Sequence, residues 1–252
     1  MAMTAWPYPF WIAHRGAGKL APENTLAAFR VGASHGYRAF ECDVKLSADS
    51  VPFLLHDTAL ERTTSGAGKA GIQPWRDLAL LDAGGWHSRA FAGEPLPSLQ
   101  AIASYCIRNG FALNIEIKPT TGDDAQTGRV VALEAERLWA GQPVPPLLSS
   151  FQPEALRAAS AAVPHLPRAL LVDTLYDGWF EHAQGCVAVV TNHALMDGAL
   201  LARLHGAGMR ALVYTVNNAS EVQRLLTLGI DGIITDAVDR FAPREASHAA
   251  RG

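Results

Sequence analysis

Short apolar runs alternate with longer amphipathic segments along most of this 252-residue chain. Short β-branched or aliphatic runs predict buried strands, and the segments between them have the apolar spacing of helices. Regular alternation of the two is typical of βα units with parallel strands. The predicted strands are Trp11–Ala13, Ala39–Val44, Leu113–Ile117, Leu147–Ser150, Ala169–Val172, Val187–Thr191, Ala211–Thr215 and Gly232–Thr235. The predicted helices are Thr25–Ser34, Ser98–Arg108, Gly128–Trp139, Glu154–Ala162, Gly198–His205 and Ser220–Leu228, with caps at Asn24 or Thr25, Ser98 and Ser220.

One further apolar run, Pro52–Leu55, follows the second strand after about four residues, Ser47 to Ser50. A parallel crossover needs about a dozen residues, so we expect this pair to be an antiparallel hairpin. Pairing outward from the turn sets Asp43 opposite Leu54 and Glu41 opposite His56, which returns His56 to the neighbourhood of the carboxylates. With the hairpin set aside, eight parallel strands remain. The predicted fold is therefore an α/β fold, a closed (β/α)8 TIM barrel.

The segment 57–96 contains no strand long enough to join the sheet and is rich in Gly, Thr, Trp and Asp. Forty residues are too many for a passive loop, so we interpret this segment as an inserted cap subdomain with a role in covering substrate. The rest of the chain forms one predicted domain, residues 1–252, with a small polar tail at 243–252.

Composition excludes several classes of protein. The net charge of −3 does not favour a nucleic-acid-binding surface, and no window has the roughly 18 uninterrupted apolar residues that a membrane span needs. Three cysteines without CxxC spacing argue against a disulfide framework and a thiolate zinc site. The first thirteen residues lack a basic region and a signal cleavage site. We therefore expect a cytoplasmic protein without stable membrane insertion; its oligomeric state is not indicated.

Charged residues cluster at or just beyond the predicted strand ends, where active sites of such barrels form. Alternate strand residues share a face, so Glu41 and Asp43 face the same way, as do Glu116 and Lys118. Carboxylates that face a barrel centre repel one another unless a cation lies between them. We therefore predict a divalent metal held by Glu41, Asp43 and Glu116. All-oxygen ligation favours Mg²⁺, with Ca²⁺ as the alternative, over zinc.

Each of these residues also has a simpler interpretation. Glu41 and Asp43 could form ion pairs with Arg15 and Lys118 without a metal, and Asp57 could cap a turn after His56. The tripeptide that begins at His14 means little by itself. The functional interpretation would fail only if all of these simpler interpretations were true at the same time.

The chain resembles the glycerophosphodiester phosphodiesterase family, in particular its compact cytoplasmic bacterial members. Motifs in the family's order run from residue 14 to 236. They are His14-Arg15-Gly16, Pro22-Glu23-Asn24-Thr25 with Ala28-Phe29, Glu41-x-Asp43, His56-Asp57, Arg62-Thr63-Thr64-x-Gly66, Leu81-Asp82-Ala83-Gly84 with Trp86, Gly93-Glu94 with Pro97, Glu116-x-Lys118, Ser150-Phe151, Thr215-Val216-Asn217 and Asp231-Gly232-Ile233-Ile234-Thr235-Asp236.

This resemblance implies metal-dependent hydrolysis of small glycerophosphodiesters to glycerol 3-phosphate and an alcohol. Carried over position by position, it makes His14 and His56 the acid/base pair and Arg15 and Lys118 the phosphate-binding cations. Phe151, Tyr214 and Asn217 are the candidates for a substrate pocket. Two departures from the family pattern are Tyr214, where Trp is frequent, and Ala237, where Pro is frequent.

The expected mechanism is in-line displacement at phosphorus, in which one histidine takes a proton from the nucleophile and the other protonates the leaving alkoxide. The substrate's glycerol 2-hydroxyl is the hypothetical nucleophile, which would give a cyclic phosphate. The alternatives within this chemistry are a lysophospholipase D or a phospholipase C-like phosphodiesterase. A noncatalytic phosphate-binding barrel and a sugar-phosphate isomerase or aldolase are the alternatives from other classes, because the fold alone does not determine the function.

Overall fold

The computed structural model describes residues 6–120 and 122–241. The predicted polar tail at 243–252 lies outside these residues, and the predicted domain 1–252 extends beyond them at both ends.

Eight parallel strands form a closed barrel, as predicted from the strand–helix alternation. Trp11 in the first strand pairs with Ile233 in the last, and Ala13 pairs with Phe40 in the second, which closes the ring. The barrel strands are β1 (Trp11–Ala13), β2 (Ala39–Leu46), β4 (Ala112–Ile117), β5 (Leu147–Ser150), β6 (Arg168–Val172), β7 (Ala188–Asn192), β8 (Arg210–Tyr214) and β9 (Gly232–Thr235), while β3 (Pro52–Leu54) is antiparallel to β2.

Helices follow the strands and cover the barrel. They are α1 (Leu26–Ser34), α2 (Trp75–Leu78), α3 (Leu99–Asn109), α4 (Asp124–Leu138), α5 (Pro153–Ala162), α6 (Trp179–His182), α7 (Gly198–Gly206) and α8 (Ala219–Leu228), with short 3₁₀ turns at Ala70–Ile72, Arg89–Phe91 and His193–Leu195. The predicted caps hold for α1 and α3, where Thr25 and Ser98 each accept a hydrogen bond from a backbone N–H three residues later. Asn218, not the predicted Ser220, caps α8.

The barrel interior is apolar at its lower levels and polar at its rim. Inward-facing aliphatic residues fill the floor: Ile12, Ala39, Leu147, Ala169, Leu171, Ala188, Val190, Leu212 and Ile234. Because alternate residues share a face, the next inward positions on β1 and β2 are His14 and Glu41. The strands therefore place their polar side chains above a packed apolar floor, at their carboxyl ends.

The predicted β2–β3 hairpin is present, but the predicted register was wrong by one residue. Val44 pairs with Leu54, and the backbone N–H of Leu55 donates to the carbonyl of Asp43 at 3.1 Å. The turn takes one more residue than predicted, because the N–H of Ser47 donates to the carbonyl of Val51 and Ser50 adopts a left-handed conformation with φ +62°. His56 consequently lies beyond the paired part of the strand and not opposite Glu41.

The 57–96 insertion packs with β3 around a small hydrophobic core that is separate from the core of the barrel. Buried apolar residues form this core: Phe53, Leu55, Leu60, Ala70, Leu78, Ala83 and Leu96. The insertion also contacts the first βα loop and helix, since Glu94 Oε1 accepts from the Ala27 backbone N–H at 2.9 Å and His87 donates to the carbonyl of Lys19 at 3.0 Å.

The two ends of the insertion are joined through the backbone. The N–H of Leu54 donates to the carbonyl of Pro97 at 3.0 Å, and Phe53 forms a bridge with Ser98. The chain therefore leaves the barrel framework and returns to it at neighbouring points. Among the helices of residues 6–120 and 122–241, none is long and apolar enough to span a bilayer.

Candidate active site

Three buried carboxylates lie together where β2 and β4 end. Asp43 and Glu116 are directly paired in register, and Glu41 precedes Asp43 on the same face of β2. One oxygen from each lies within 4.8 Å of the others. Burial, reinforced by the charge of Asp43, raises the pKa of Glu41 to about 8 and also raises the pKa of Glu116. These raised pKa values indicate that the three carboxylates have too little positive charge around them to be ionised together.

The donor set suits a hard divalent cation. All three residues offer carboxylate oxygens, the ligands that Mg²⁺ and Ca²⁺ prefer. Among the described residues, Glu41 Oε1 is buried without a hydrogen-bond partner, although buried polar atoms rarely lack one. The predicted trio is thus brought together with the chemistry of a metal site.

Two cations adjoin the carboxylates. Lys118 Nζ lies 3.0 Å from Glu116 Oε1 and 3.2 Å from Asp43 Oδ1, while Arg15 Nε lies 3.2 Å from Asp43 Oδ2. Burial alone would raise the pKa of Asp43, but Arg15 and Lys118 hold it well below its usual range. The ion pairs of the simpler interpretation are therefore present for Asp43, whereas among the described residues Glu41 has no ion pair with Arg15 or Lys118 and its Oε1 has no hydrogen-bond partner.

The loop after β1 presents Arg15 through a strained turn. Arg15 has φ +50°, and its backbone N–H donates to Glu41 Oε2 at 3.0 Å. Gly16 and Gly18 also have positive φ, and a methyl group at Gly18 would collide with the backbone of Asp236. The glycines therefore allow the loop to lie against the residue that follows the last strand.

His14 is oriented by Asp236. Its Nδ1 donates to Asp236 Oδ1 at 2.6 Å, and its Nε2 lies 3.8 Å from Glu41 Oε2. Burial disfavours the imidazolium, but the hydrogen bond to Asp236 and the charge of Glu41 leave the pKa of His14 raised. Asn217 holds Asp236 in turn, because its amide donates to Asp236 Oδ2 at 3.0 Å and accepts from the Asp236 N–H at 2.9 Å.

His56 belongs to a second chain of ion pairs. Its Nδ1 donates to Asp57 Oδ1 at 2.7 Å, and Arg62 donates to Asp57 Oδ2 at 2.5 Å. Arg62 also makes two 2.8 Å hydrogen bonds to Glu23, whose Oε1 accepts from Arg15 at 2.8 Å. Burial lowers the pKa of His56, so the two histidines have pKa values shifted in opposite directions.

Two adjoining cavities open at this end of the barrel. The smaller, of about 160 Å³, has His14, Arg15, Glu41, His56, Asn114, Glu116, Lys118, Phe151, Leu171, Tyr214, Thr215 and Ile234 on its wall. The larger, of about 510 Å³, shares His56, Glu116, Lys118 and Phe151 with it.

Of the three predicted pocket residues, Phe151 and Tyr214 lie on the wall of the smaller cavity, with their ring centroids 5.8 Å apart and edge to face. Asn217 lines neither cavity, because its amide is turned toward Asp236.

Several supporting residues were not assigned roles from the sequence. Asn24 donates to Asp43 Oδ2 at 2.8 Å and accepts from the Asp43 N–H at 3.1 Å, which orients that carboxylate. Asp236, Glu23 and Arg62 act in the same indirect way. All four belong to the recognised motifs, and that membership was the signal that could have marked them.

The profile of the glycerophosphoryl diester phosphodiesterase family matches residues 14–240, which is most of the chain. This chain belongs to that family. It is 31% identical over 235 residues to a glycerophosphodiester phosphodiesterase from Caldanaerobacter subterraneus, covering 89% of this chain and 93% of that protein.

Solved structures of the family have the same architecture. A phosphodiesterase from Oleispira antarctica, solved with the product sn-glycerol 3-phosphate, superposes with a TM-score of 0.85 at 31% identity and covers 92% of this chain and 95% of its own. A glycerophosphodiester phosphodiesterase from Agrobacterium tumefaciens gives 0.76 at 29% identity, with 92% and 98% covered. The chain is therefore a glycerophosphodiester phosphodiesterase by family, as its motifs predicted.

Proposed function

We propose that this chain hydrolyses small glycerophosphodiesters to sn-glycerol 3-phosphate and an alcohol, with His14 and His56 as the acid/base pair. The observation that carries this proposal is that both imidazoles face one small cavity with Arg15 and Lys118, and that their pKa values are shifted in opposite directions. At one pH the first is protonated and the second neutral, as simultaneous delivery and removal of a proton require.

Arg15 and Lys118 bind the phosphate. Each is anchored by a carboxylate on one side, Arg15 by Glu23 and Lys118 by Glu116, and each lies on the cavity wall. Anchoring orients these charges before the substrate arrives, so less reorganisation is needed as negative charge develops on the phosphoryl oxygens.

Glu41, Asp43 and Glu116 would hold a divalent cation, Mg²⁺ or Ca²⁺. When bound, such an ion polarises a non-bridging phosphoryl oxygen. The carboxylates meanwhile keep the guanidinium and ammonium groups in place, since Arg15 and Lys118 both contact Asp43.

The proton transfers follow from the two environments. Neutral His56 takes the proton of the nucleophile, for which we propose the substrate's glycerol 2-hydroxyl, while protonated His14 donates to the oxygen of the leaving alcohol. Bond formation from the 2-hydroxyl oxygen and loss of the alcohol give a cyclic phosphate. Water then opens this ring: His14, now neutral, takes a proton from the attacking water, and protonated His56 gives its proton to the 2-oxygen as the bond from that oxygen to phosphorus breaks. A 2-deoxy analogue should be inert, and its efficient hydrolysis would replace this route by direct attack of water.

The test is a panel of glycerophosphodiesters with choline, ethanolamine, glycerol and inositol head groups, assayed for sn-glycerol 3-phosphate. Each assay follows chelation and readdition of Mg²⁺ or Ca²⁺. Activity that survives chelation would remove the metal from the proposal, and no product from any member of the panel would overturn the function.

The same assay tests the histidines. His14→Ala and His56→Ala should each lower the rate about 100-fold to 10,000-fold. The control is His165→Ala, because this histidine is 67% exposed and pairs with Glu136 on the surface. Wild-type rates in either of the first two variants would exclude that histidine.

A lysophospholipid is the second candidate substrate. The insertion exposes three large apolar side chains, Ile72 at 73%, Leu80 at 84% and Trp86 at 41%, which could contact lipid. Lysophosphatidylcholine in the same panel separates the two, since release of choline with a lysophosphatidic acid product would identify a lysophospholipase D.

The three cysteines are free thiols, which supports the predicted cytoplasmic location.

A further inference from the structure

The larger cavity extends from the proposed phosphate site into a chamber that the chemistry above does not use. It begins at His56, Glu116 and Lys118, which it shares with the smaller cavity, and continues to Lys45, Thr58 and Gln152. A volume of about 510 Å³ is several times that of the smaller cavity, at about 160 Å³. The smaller cavity carries both histidines and has room for a compact group. The chamber has room for the alcohol head group, which is the part that differs from one glycerophosphodiester to another.

Lys45 is a buried cation on the wall of this chamber. It follows Glu41 and Asp43 on the same face of β2, and only 2% of its surface is exposed. Its Nζ has one hydrogen bond, to the carbonyl of Lys118 at 3.2 Å. Within residues 6–120 and 122–241, no carboxylate oxygen lies within 4.0 Å of this Nζ. An ammonium has three donors, so two of them have no protein acceptor.

The other charges on the wall are already neutralised. Arg62 and His56 bind Asp57, and Lys118 binds Glu116. Among the charged side chains of this wall, and within the described residues, Lys45 is therefore the one without an ion pair. Among the described residues, the side chains of Thr58 and Gln152 have no protein hydrogen-bond partner, so the wall also offers uncharged polar groups.

We propose that this chamber binds the far end of the leaving alcohol, whose oxygen stays at phosphorus in the smaller cavity within reach of His14, and that Lys45 is a specificity-determining residue within it. Its unused donors favour head groups that carry acceptor oxygens, as hydroxyl or carboxylate groups, and disfavour a quaternary ammonium, because buried like charges repel. The expected class is glycerophosphodiesters of polyols and of acidic alcohols. This inference rests on the proposed function and adds a substrate class to it.

The experiment measures kcat/KM for glycerophosphoglycerol, glycerophosphoserine and glycerophosphocholine with the wild type and Lys45→Met. Methionine replaces the aliphatic part of the lysine side chain with one of similar length and removes its charge and donors. We expect the variant to lose about 10-fold to 100-fold on the glycerol and serine substrates. On the choline substrate it should not fall and should rise by up to about threefold, because no charge-assisted hydrogen bond is lost there and the repulsion between like charges is removed.

Two controls make the result specific. Arg129→Met removes an equal charge from an exposed position on α4 and should leave all three values unchanged. Should Lys45→Met fail to fold, as judged by circular dichroism, Lys45→Gln keeps a donor without the charge and should lose most on the serine substrate.

An equal loss on all three substrates would overturn the proposal, since it would mean that Lys45 acts only by holding the backbone of Lys118. A wild type that prefers the choline substrate would also overturn it. A wild type inactive on every glycerophosphodiester would instead overturn the proposed function, and the chamber's role with it. The failure of the inference is thereby distinct from the failure of the function.

Discussion

His14 and Asp236 lie 222 residues apart in the chain, and their side chains meet at 2.6 Å between Nδ1 and Oδ1. The contact exists because β1 and β9 are neighbours in the closed barrel, which places the residue after each strand at the same rim. A carboxylate accepts only from a protonated Nδ1, so this pair leaves the other ring nitrogen, Nε2, for the substrate.

Replacing Asp236 should therefore change how activity depends on pH. Asp236 raises the pKa of His14, so the protonated acid persists to higher pH in the wild type. In Asp236→Asn, we expect the alkaline limb of kcat/KM to move to lower pH and kcat to fall about 10-fold to 100-fold, because the imidazolium loses its anionic partner. A pH–rate profile measures both effects.

The acid limb gives the internal control for that prediction. Burial lowers the pKa of His56, which contacts Asp57 and not Asp236, so its limb should stay in place. A uniform drop at every pH with neither limb displaced would assign Asp236 a purely structural role.

A divalent metal should stabilise the protein, and the carboxylates predict how this effect depends on pH. Burial and Asp43 raise the pKa of Glu41 from 4.5 to about 8. The folded protein therefore binds the Glu41 proton more tightly than the unfolded chain does. The stability that this protonated carboxyl contributes is complete below pH 4.5 and is lost as the pH rises toward 8. At neutral pH, Mg²⁺ or Ca²⁺ at about 100-fold above its Kd should add about 3 kcal/mol to the free energy of unfolding.

Calorimetry or urea titration with and without the ion measures this stabilisation. Glu41→Gln should lose the response to metal, while Glu154→Gln, at an exposed position of α5, should retain it. An equal response in both variants would place the ion elsewhere.

Arg62 links the insertion to the site, since it joins Asp57, the partner of His56, to Glu23, the partner of Arg15. Arg62→Met should lower kcat/KM about 10-fold, because two functional groups lose an anchor. Its free energy of unfolding should change by less than about 1 kcal/mol, as is usual for exposed ion pairs.

Arg76→Met is the matched change. Arg76 also lies in the insertion, but its side chain is 84% exposed and, among the described residues, its one ion pair is with the neighbouring Asp77. Equal kinetics in the two variants would show that the link through Arg62 has no effect on catalysis.

The loop after β1 should not accept a side chain at Gly18. Alanine there would incur the strain of a positive φ, about 1 to 2 kcal/mol, and an added clash with the backbone of Asp236 of about 1 to 3 kcal/mol. Gly141→Ala separates the two costs, because Gly141 has φ +76° and open space around it. Urea unfolding of both variants should show a larger loss for Gly18→Ala, and equal losses would refute the proposed clash.

Much of the fold could be predicted because each barrel strand has a local apolar signal. The predicted bounds of Leu147–Ser150 and Gly232–Thr235 agree with β5 and β9. Errors arose where tertiary contacts determine the outcome. Helix α4 begins at Asp124, not at Gly128, and this glycine inside the helix lets the backbone of Ala155 approach closely.

The site was predictable in its chemistry and less so in its connections. Strand periodicity brought the carboxylates of β2 and β4 together, because a face can be inferred from spacing alone. The partnership of Asn217 with Asp236 depends on two loops meeting in space, which spacing does not reveal. The hairpin register was missed because one additional turn residue shifts every later pair.

The closeness of Leu54 and Pro97 has a consequence for how such enzymes diversify. Since the segment between them starts and finishes at almost one point, its length can change at little entropic cost and without displacing the helix that begins at Leu99. The part of this segment after Asp57 can thus be exchanged as a module, provided that His56 and Asp57 are kept and the replacement still presents a guanidinium to Asp57 and Glu23. Evolution can vary the insertion of this barrel while its chemistry stays constant.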